Sequence, residues 1–269
     1  MSEIILNDKD LDCYHIVDSL GINEGDCILV SSSLSRLFHL EKDIRGTKPD
    51  IHKFINSFTD KITEKGTLLF PTYSWGFCKG ETYDYNNTPA ETGALANEAL
   101  KHPGFKRTKH PIYSFAVWGK GRDELCSLEN ISSFGADSPF AYLHKHHGKN
   151  LVIDVSLTHS FTFVHYIEEL TKFPHYRYHK FFKADYIDEN GNKSQREYSM
   201  LVRDLDLEVT NVLEPIEQEF IDTNVTRKTI VNGIPFSLID LCLAAEAIKE
   251  DIYHNRSRKI CTYKGQYDE

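Results

Sequence analysis

A chain of 269 residues with 40% hydrophobic, 12% aromatic and 26% charged residues has the composition of a soluble globular protein, which excludes the disordered and fibrous classes. Its length predicts one large domain, residues 1–269, carrying an insertion. A formal net charge of −9 excludes a protein built to lie along a nucleic-acid backbone and admits a cationic amine as ligand; with neither a signal-like start nor a long apolar run, the chain is expected to be cytoplasmic and without a membrane partner.

In chain order, residues 8–20 read as an amphipathic helix packed outside the main body, and short apolar runs at 27–30, 67–73, 113–118 and 151–155 read as buried strands. Helical patterns at 51–62, 92–100, 140–146 and about 160–170 alternate with them. That alternation predicts an α/β fold with a mostly parallel central sheet flanked by helices. After Pro174 the texture changes, and Asn190-Gly191 between two strand-like runs marks a hairpin, so 174–211 is expected to be a hairpin insertion or subdomain. A second pair, Asn232-Gly233, precedes a helical pattern over 237–250 with Ser237 as its N-cap, giving a C-terminal region of antiparallel strands plus one helix.

Six cysteines, at 13, 27, 78, 126, 242 and 261, form no C-x-x-C pair and no cluster with histidine, so free core thiols are expected and no metal site. Neither a P-loop nor a dinucleotide fingerprint is present. Four segments remain that carry chemistry. The serines of Ser31-Ser32-Ser33-Leu34-Ser35-Arg36, between a strand and a helix, suit either an anion or plain helix capping. Thr72-Tyr73-Ser74-Trp75 follows a strand end, where open parallel sheets bind ligands, and it also fits an ordinary turn. His110 and Ser114 precede another strand; His110 alone suits a structural role. In the segment from Asp154 through His159 to Leu170, His165 and Glu168 stand three apart on one helical face, the spacing of a base and its orienting carboxylate or of a simple surface pair.

Taken in order, Val-Ser-Ser-Ser-Leu at 30–34, Gly-Thr-Leu-Leu-Phe-Pro-Thr-Tyr at 66–73, Pro-Ala-Glu-Thr-Gly-Ala-Leu-Ala at 89–96, Arg107 with His110-Pro111, Gly135 with Ser138-Pro139, and Thr162 through His165 to Glu168 resemble the antibiotic N-acetyltransferase family. Its best-known members acetylate the 3-amino group of aminoglycosides, and the similarity runs from about Ile28 to Tyr178. The resemblance implies acetyl-CoA or another acyl-CoA as co-substrate, no metal, and direct attack by the amine of an amino sugar. His165 would be the general base and Glu168 its partner; Ser32, Ser33, Leu34, Arg36, Thr72, Tyr73, His110 and Ser114 would hold CoA, with the Thr72 hydroxyl or backbone N–H groups facing the oxyanion. Tyr73, Trp75, Glu91, Asp154, His159, Tyr178 and Arg203 would contact the acceptor, with Asp154 and Glu91 competing to complete the site. His159 and Arg203 place positive character where aminoglycoside-modifying members carry acids, so the expected acceptor is a nucleotide-linked amino sugar for surface polysaccharide. Aminoglycoside 3-N-acetylation, and a noncatalytic CoA-binding protein, are the alternatives. The hairpin would serve as a substrate lid or as a homodimer contact.

Overall fold

The structure, a computed structural model, describes residues 3–8, 11–172 and 174–267. At its centre β2 (Cys27–Ser32) pairs in parallel with β3 (Thr67–Pro71) on one side and with β7 (Lys149–Ile153) on the other, Ile28 facing Leu68 and Val30 facing Leu151. Because successive strand residues point to opposite faces, these strands feed two cores. Leu29, Leu69 and Val152 enter one, and Val30, Phe70 and Leu151 the other.

The sheet then continues with antiparallel neighbours. On the β3 side come β6 (Phe115–Gly119) and β5 (Lys106–Arg107); on the β7 side come β12 (Ile234–Asp240) and β11 (Thr226–Val231), with β1 (Glu3–Leu6) parallel at the edge. The eight-stranded sheet is therefore mixed rather than mostly parallel, although the α/β class is as expected. Helix α2 (Ile51–Ile62) covers one face with Phe54, Ile55, Phe58 and Ile62, its start capped by Asp50, which accepts from the N–H groups of His52 and Lys53. The other face is covered by α5 (Pro139–Lys145), α7 (Phe163–Thr171) and α9 (Leu241–His254).

Three expected elements take another form. Residues 9 and 10 of the expected N-terminal helix lie outside the described residues; the rest of 8–20 is turns and a short 3₁₀ segment, Ile16–Ser19. There the Asp12 carboxylate accepts from the N–H groups of Tyr14 and His15, closing a turn that competes with helix. The helix expected over 160–170 is broken at Phe161 and Thr162 into α6 (Leu157–Ser160) and α7. Asn232 and Gly233, with φ of 50° and 81°, form a two-residue hairpin turn between β11 and β12, so Ser237 lies in a strand and the helix starts later, capped by Asp240. The C-terminal region also holds a second helix, α8 (Glu214–Asp222).

The Asn190-Gly191 hairpin forms as expected. Strand β8 (Arg177–Ile187) pairs along its length with β9 (Lys193–Arg203), and β4 (Tyr83–Asp84) adds a third strand. Tyr83, Tyr186, Tyr198, Phe77 and Ile112 form a separate aromatic core beneath it. No helix among the described residues is long and apolar enough to cross a membrane, and all six cysteines are free.

Asp240 accepts from the N–H groups of Cys242 and Leu243 at 2.9 and 3.0 Å, so Asp240→Ala should destabilise the protein by about 1 kcal/mol, read as a lower urea midpoint at unchanged slope. An unaltered midpoint would show the cap to be idle.

Candidate active site

The carboxyl end of β7 leads through α6 to α7, which is buried along Phe163, Val164, Tyr166, Ile167 and Glu168. One helical turn apart, His165 Nδ1 and Glu168 Oε2 approach to 2.6 Å, with the glutamate side chain 1% exposed. Burying a carboxylate is unfavourable unless its charge and lone pairs are met. Here Arg177 Nε lies 2.7 Å from Oε2 as a close ion pair, and the Tyr176 hydroxyl donates to Oε1 at 3.1 Å. Arg177 is in turn held by Asn211, whose Oδ1 accepts from Nη2 at 2.6 Å. Tyr176 is stacked on Tyr263, ring centroids 4.8 Å apart.

These contacts set the protonation states. Burial acts most strongly on Glu168 and pushes its carboxyl up, but the Arg177 charge and the His165 contact together bring it below the usual range, so it is ionised. His165 is held below its ordinary value by burial first and by Arg177 second, against the opposing pull of Glu168. An ionised carboxylate only accepts, so a neutral His165 carries its proton on Nδ1 and keeps a lone pair on Nε2. Among the described residues none hydrogen-bonds that nitrogen.

His165 stands where two cavities meet. A central one of about 380 Å³ is lined by Tyr73, Trp75, Glu91, His159, Thr162 and His165. At one end it shares Ser32 and Thr92 with a cavity of about 550 Å³, where Ser33, Leu34, Phe38, His39, Lys42 and Lys48 stand. At the other end it shares Tyr113, Thr158, His159, His165 and Asn211 with a wide cavity of about 760 Å³ under the β8–β9 hairpin, which Tyr178 and Arg203 also line. Glu91 is fixed by the Trp75 N–H at 2.7 Å, and His159 Nδ1 by the Ser156 hydroxyl at 2.8 Å.

Several residues expected in the site are elsewhere. Thr72 and Ser114 are fully buried and joined to each other at 2.8 Å, and the buried Arg107 donates from Nε to the Ser114 hydroxyl and from Nη2 to the Thr72 carbonyl, both at 3.0 Å. The Thr72 hydroxyl is thus engaged away from the cavities rather than facing an oxyanion. His110 is also buried; its Nδ1 accepts from the N–H groups of Ile112 and Tyr113, and burial pushes its pKa down from 6.5 to about 3. These three hold in place the loops that present Tyr73, Trp75 and Tyr113. Arg36 and Asp154 pair with each other at 2.5 Å, and Arg36 also donates to the Gly233 carbonyl, so neither lines the cavities.

Arg177, Tyr176 and Asn211 escaped the sequence analysis, as did Lys42 and Lys48. Nothing in the spacing of an aromatic strand start singles out Arg177, whose role depends on a contact between β8 and α7. Among the described residues, no group of three or more His, Cys, Asp or Glu side chains is placed to hold a metal.

A profile of the family described as aminoglycoside 3-N-acetyltransferase matches residues 29–250. The chain belongs to this family. It is 26% identical over 149 residues to the SPbeta prophage-derived aminoglycoside N(3')-acetyltransferase-like protein YokD of Bacillus subtilis, 47% of this chain and 52% of that one, so the match spans about half the length of that relative. To aminoglycoside N(3)-acetyltransferase IX of Micromonospora chalcea it is 24% identical over 217 residues, 72% of this chain and 71% of that one. The crystal structure of YokD superposes with a TM-score of 0.73 at 21% identity, covering 94% and 96% of the two chains. A structure of AAC-IIIb in binary complex with CoASH does so with a TM-score of 0.72 at 18% identity, covering 90% and 95%. These structural likenesses establish that the family fold extends over nearly the whole chain.

His110 gives a test of burial that is independent of catalysis. Between its ordinary 6.5 and about 3, the unfolded chain binds a proton that the folded chain refuses, so this histidine contributes stability above pH 6.5 that is lost as pH falls, by up to about 1.4 kcal/mol per pH unit. His110→Gln should flatten the drop in unfolding free energy between pH 7 and pH 5, measured by urea denaturation; an equal drop in both proteins would refute the assignment.

Proposed function

We propose that this chain is an acetyl-CoA-dependent N-acetyltransferase acting on a primary amine of an amino sugar. The observation that carries this reading is the neutral His165, fixed by a buried Glu168 at the junction of two cavities, in a chain of this family. The nucleotide-linked acceptor and polysaccharide role expected from the sequence find no support in the relatives, whose names point to aminoglycosides, one of the alternatives.

The cavity beside the serine cluster fits CoA by the chemistry of its walls. Lys42, Lys48 and His39 supply cationic or hydrogen-bonding groups for phosphates, Phe38 and Ile51 supply apolar surface, and the passage between Ser32 and Thr92 is lined by hydroxyl residues and leads toward His165. When bound, acetyl-CoA supplies an acyl group activated as a thioester. The residues of the chain do the rest. Glu91 gives the central cavity a carboxylate suited to a sugar ammonium, which releases one proton to solvent to become the attacking amine. His165 Nε2 accepts a proton as the amine nitrogen bonds to the acyl carbon, Glu168 holds the imidazolium that results, and the same proton can leave with the departing thiolate once the carbon–sulfur bond breaks. Because Arg177 and burial keep His165 neutral, the base is available across the physiological range.

His165→Ala should lower kcat for thiol release from acetyl-CoA by about 10²–10⁴-fold, and Glu168→Gln should lower it by a smaller factor, with circular dichroism confirming the fold. Full turnover in His165→Ala would end its assignment as base. Replacing Lys42 and Lys48 together by Ala should raise KM for acetyl-CoA about tenfold while leaving kcat nearly constant. Unchanged KM would place the phosphates elsewhere.

A further inference from the structure

The wide cavity beyond His165 differs in charge from the protein around it. The chain carries 40 Asp and Glu against 31 Lys and Arg, yet this cavity is lined by Arg177, Lys180 and Arg203, with His159 and His165, and by no Asp or Glu among the described residues. Arg177 is neutralised by Glu168 at 2.7 Å. The other two cations make no ion pair with the described residues. Lys180 Nζ stands 5.5 Å from the centre of the Phe182 ring, and Arg203 uses Nη1 on the Val209 carbonyl at 3.3 Å.

The register sharpens the point. Arg177 lies directly across from Arg203 in the β8–β9 ladder, a like-charged pair that a strand pair ordinarily disfavours. Glu168 relieves the Arg177 side; no carboxylate among the described residues pairs with Arg203. On the opposite side of His165, the central cavity offers the Glu91 carboxylate. The two cavities that meet at the base therefore differ in charge, the central one holding the Glu91 carboxylate and the one under the hairpin holding cations without a carboxylate in its lining.

We propose that the acceptor is an amino sugar that also carries an acidic group, phosphate or carboxylate, seated against Arg203 while its amine faces His165, with Lys180 adding to the positive charge of the cavity. This rests on the N-acetyl transfer proposed above and narrows its acceptor. A polycationic aminoglycoside would meet like charge in this cavity, whereas an anion gains a charge-assisted partner in Arg203 and the favourable field of Lys180.

The test uses the purified full chain with acetyl-CoA and compares kcat/KM for thiol release with glucosamine, glucosamine 1-phosphate, glucosamine 6-phosphate, glucosaminuronic acid and kanamycin. At least one anionic amine is expected to exceed both glucosamine and kanamycin by about tenfold or more, and the phosphate and uronate arms separate the two kinds of anion. Combining Lys180→Met with Arg203→Gln should cut that ratio about tenfold, and Arg203→Glu should shift preference toward kanamycin. Anionic amines that do no better than glucosamine, or a preference that survives the double substitution, would overturn the proposal. Thiol release from none of the amines would defeat the acetyl-transfer reading instead. Calorimetry on the CoA-loaded protein then decides the acidic group separately, equal affinities for glucosamine, both its phosphates and glucosaminuronic acid counting against it.

Discussion

Everything in the site depends on keeping one carboxylate ionised inside the protein. Glu168 is 1% exposed, and an unmet charge at that depth would protonate or unfold its surroundings. Three side chains from two segments prevent this: His165 from its own helix, and Tyr176 and Arg177 from the start of β8. Arg177 is tied to Asn211 on β10 (Thr210–Asn211), and that strand pairs with β13 (Cys261–Thr262). A single buried charge thus draws together the helix that bears His165, the hairpin that roofs the wide cavity, and the C-terminal segment. The cation that makes this possible also adds to the effect of burial in lowering the basicity of His165, so the arrangement exchanges proton affinity for an imidazole that stays uncharged.

The central sheet decides where this cluster meets solvent. Strands β2, β3 and β7 run parallel, and their carboxyl ends lead to Ser31-Ser32, to Tyr73 and to Val155, all of which line the central cavity. Ligand sites of open sheets with parallel strands gather at that edge because the chain leaves there in loops free to diversify. The antiparallel strands added on either side complete the two cores without closing this edge.

Much of this was legible in the sequence where the signal was local. The apolar runs located β2, β3, β6 and β7, the i, i+3 spacing located His165 and Glu168, and the ordered motifs identified the family. What failed depended on contacts between distant segments. Ser237 looked like a helix cap because Ser is a good one, yet pairing with β7 and β11 made it a strand residue. Arg36 looked free to bind phosphate until Asp154, distant in sequence, came within 2.5 Å. Thr72, His110 and Ser114 were expected to hold CoA and are instead buried behind the cavity walls, because residue type alone does not distinguish a ligand contact from the support behind it. Arg177, central to the electrostatics, gave no local pattern.

Arg107 has a bearing on how the protein's solution behaviour can be read. It is a buried guanidinium whose partners are hydroxyl and carbonyl oxygens, including those of Ser114, Thr72 and Thr88, and it lies over the Tyr83 ring. None of these groups changes charge in the range where histidines titrate, and an arginine does not lose its proton there. The Arg107 fastening on the loops that carry Tyr73, Trp75 and Tyr113 is therefore indifferent to acidity, whereas the one His110 makes beside it weakens as pH falls.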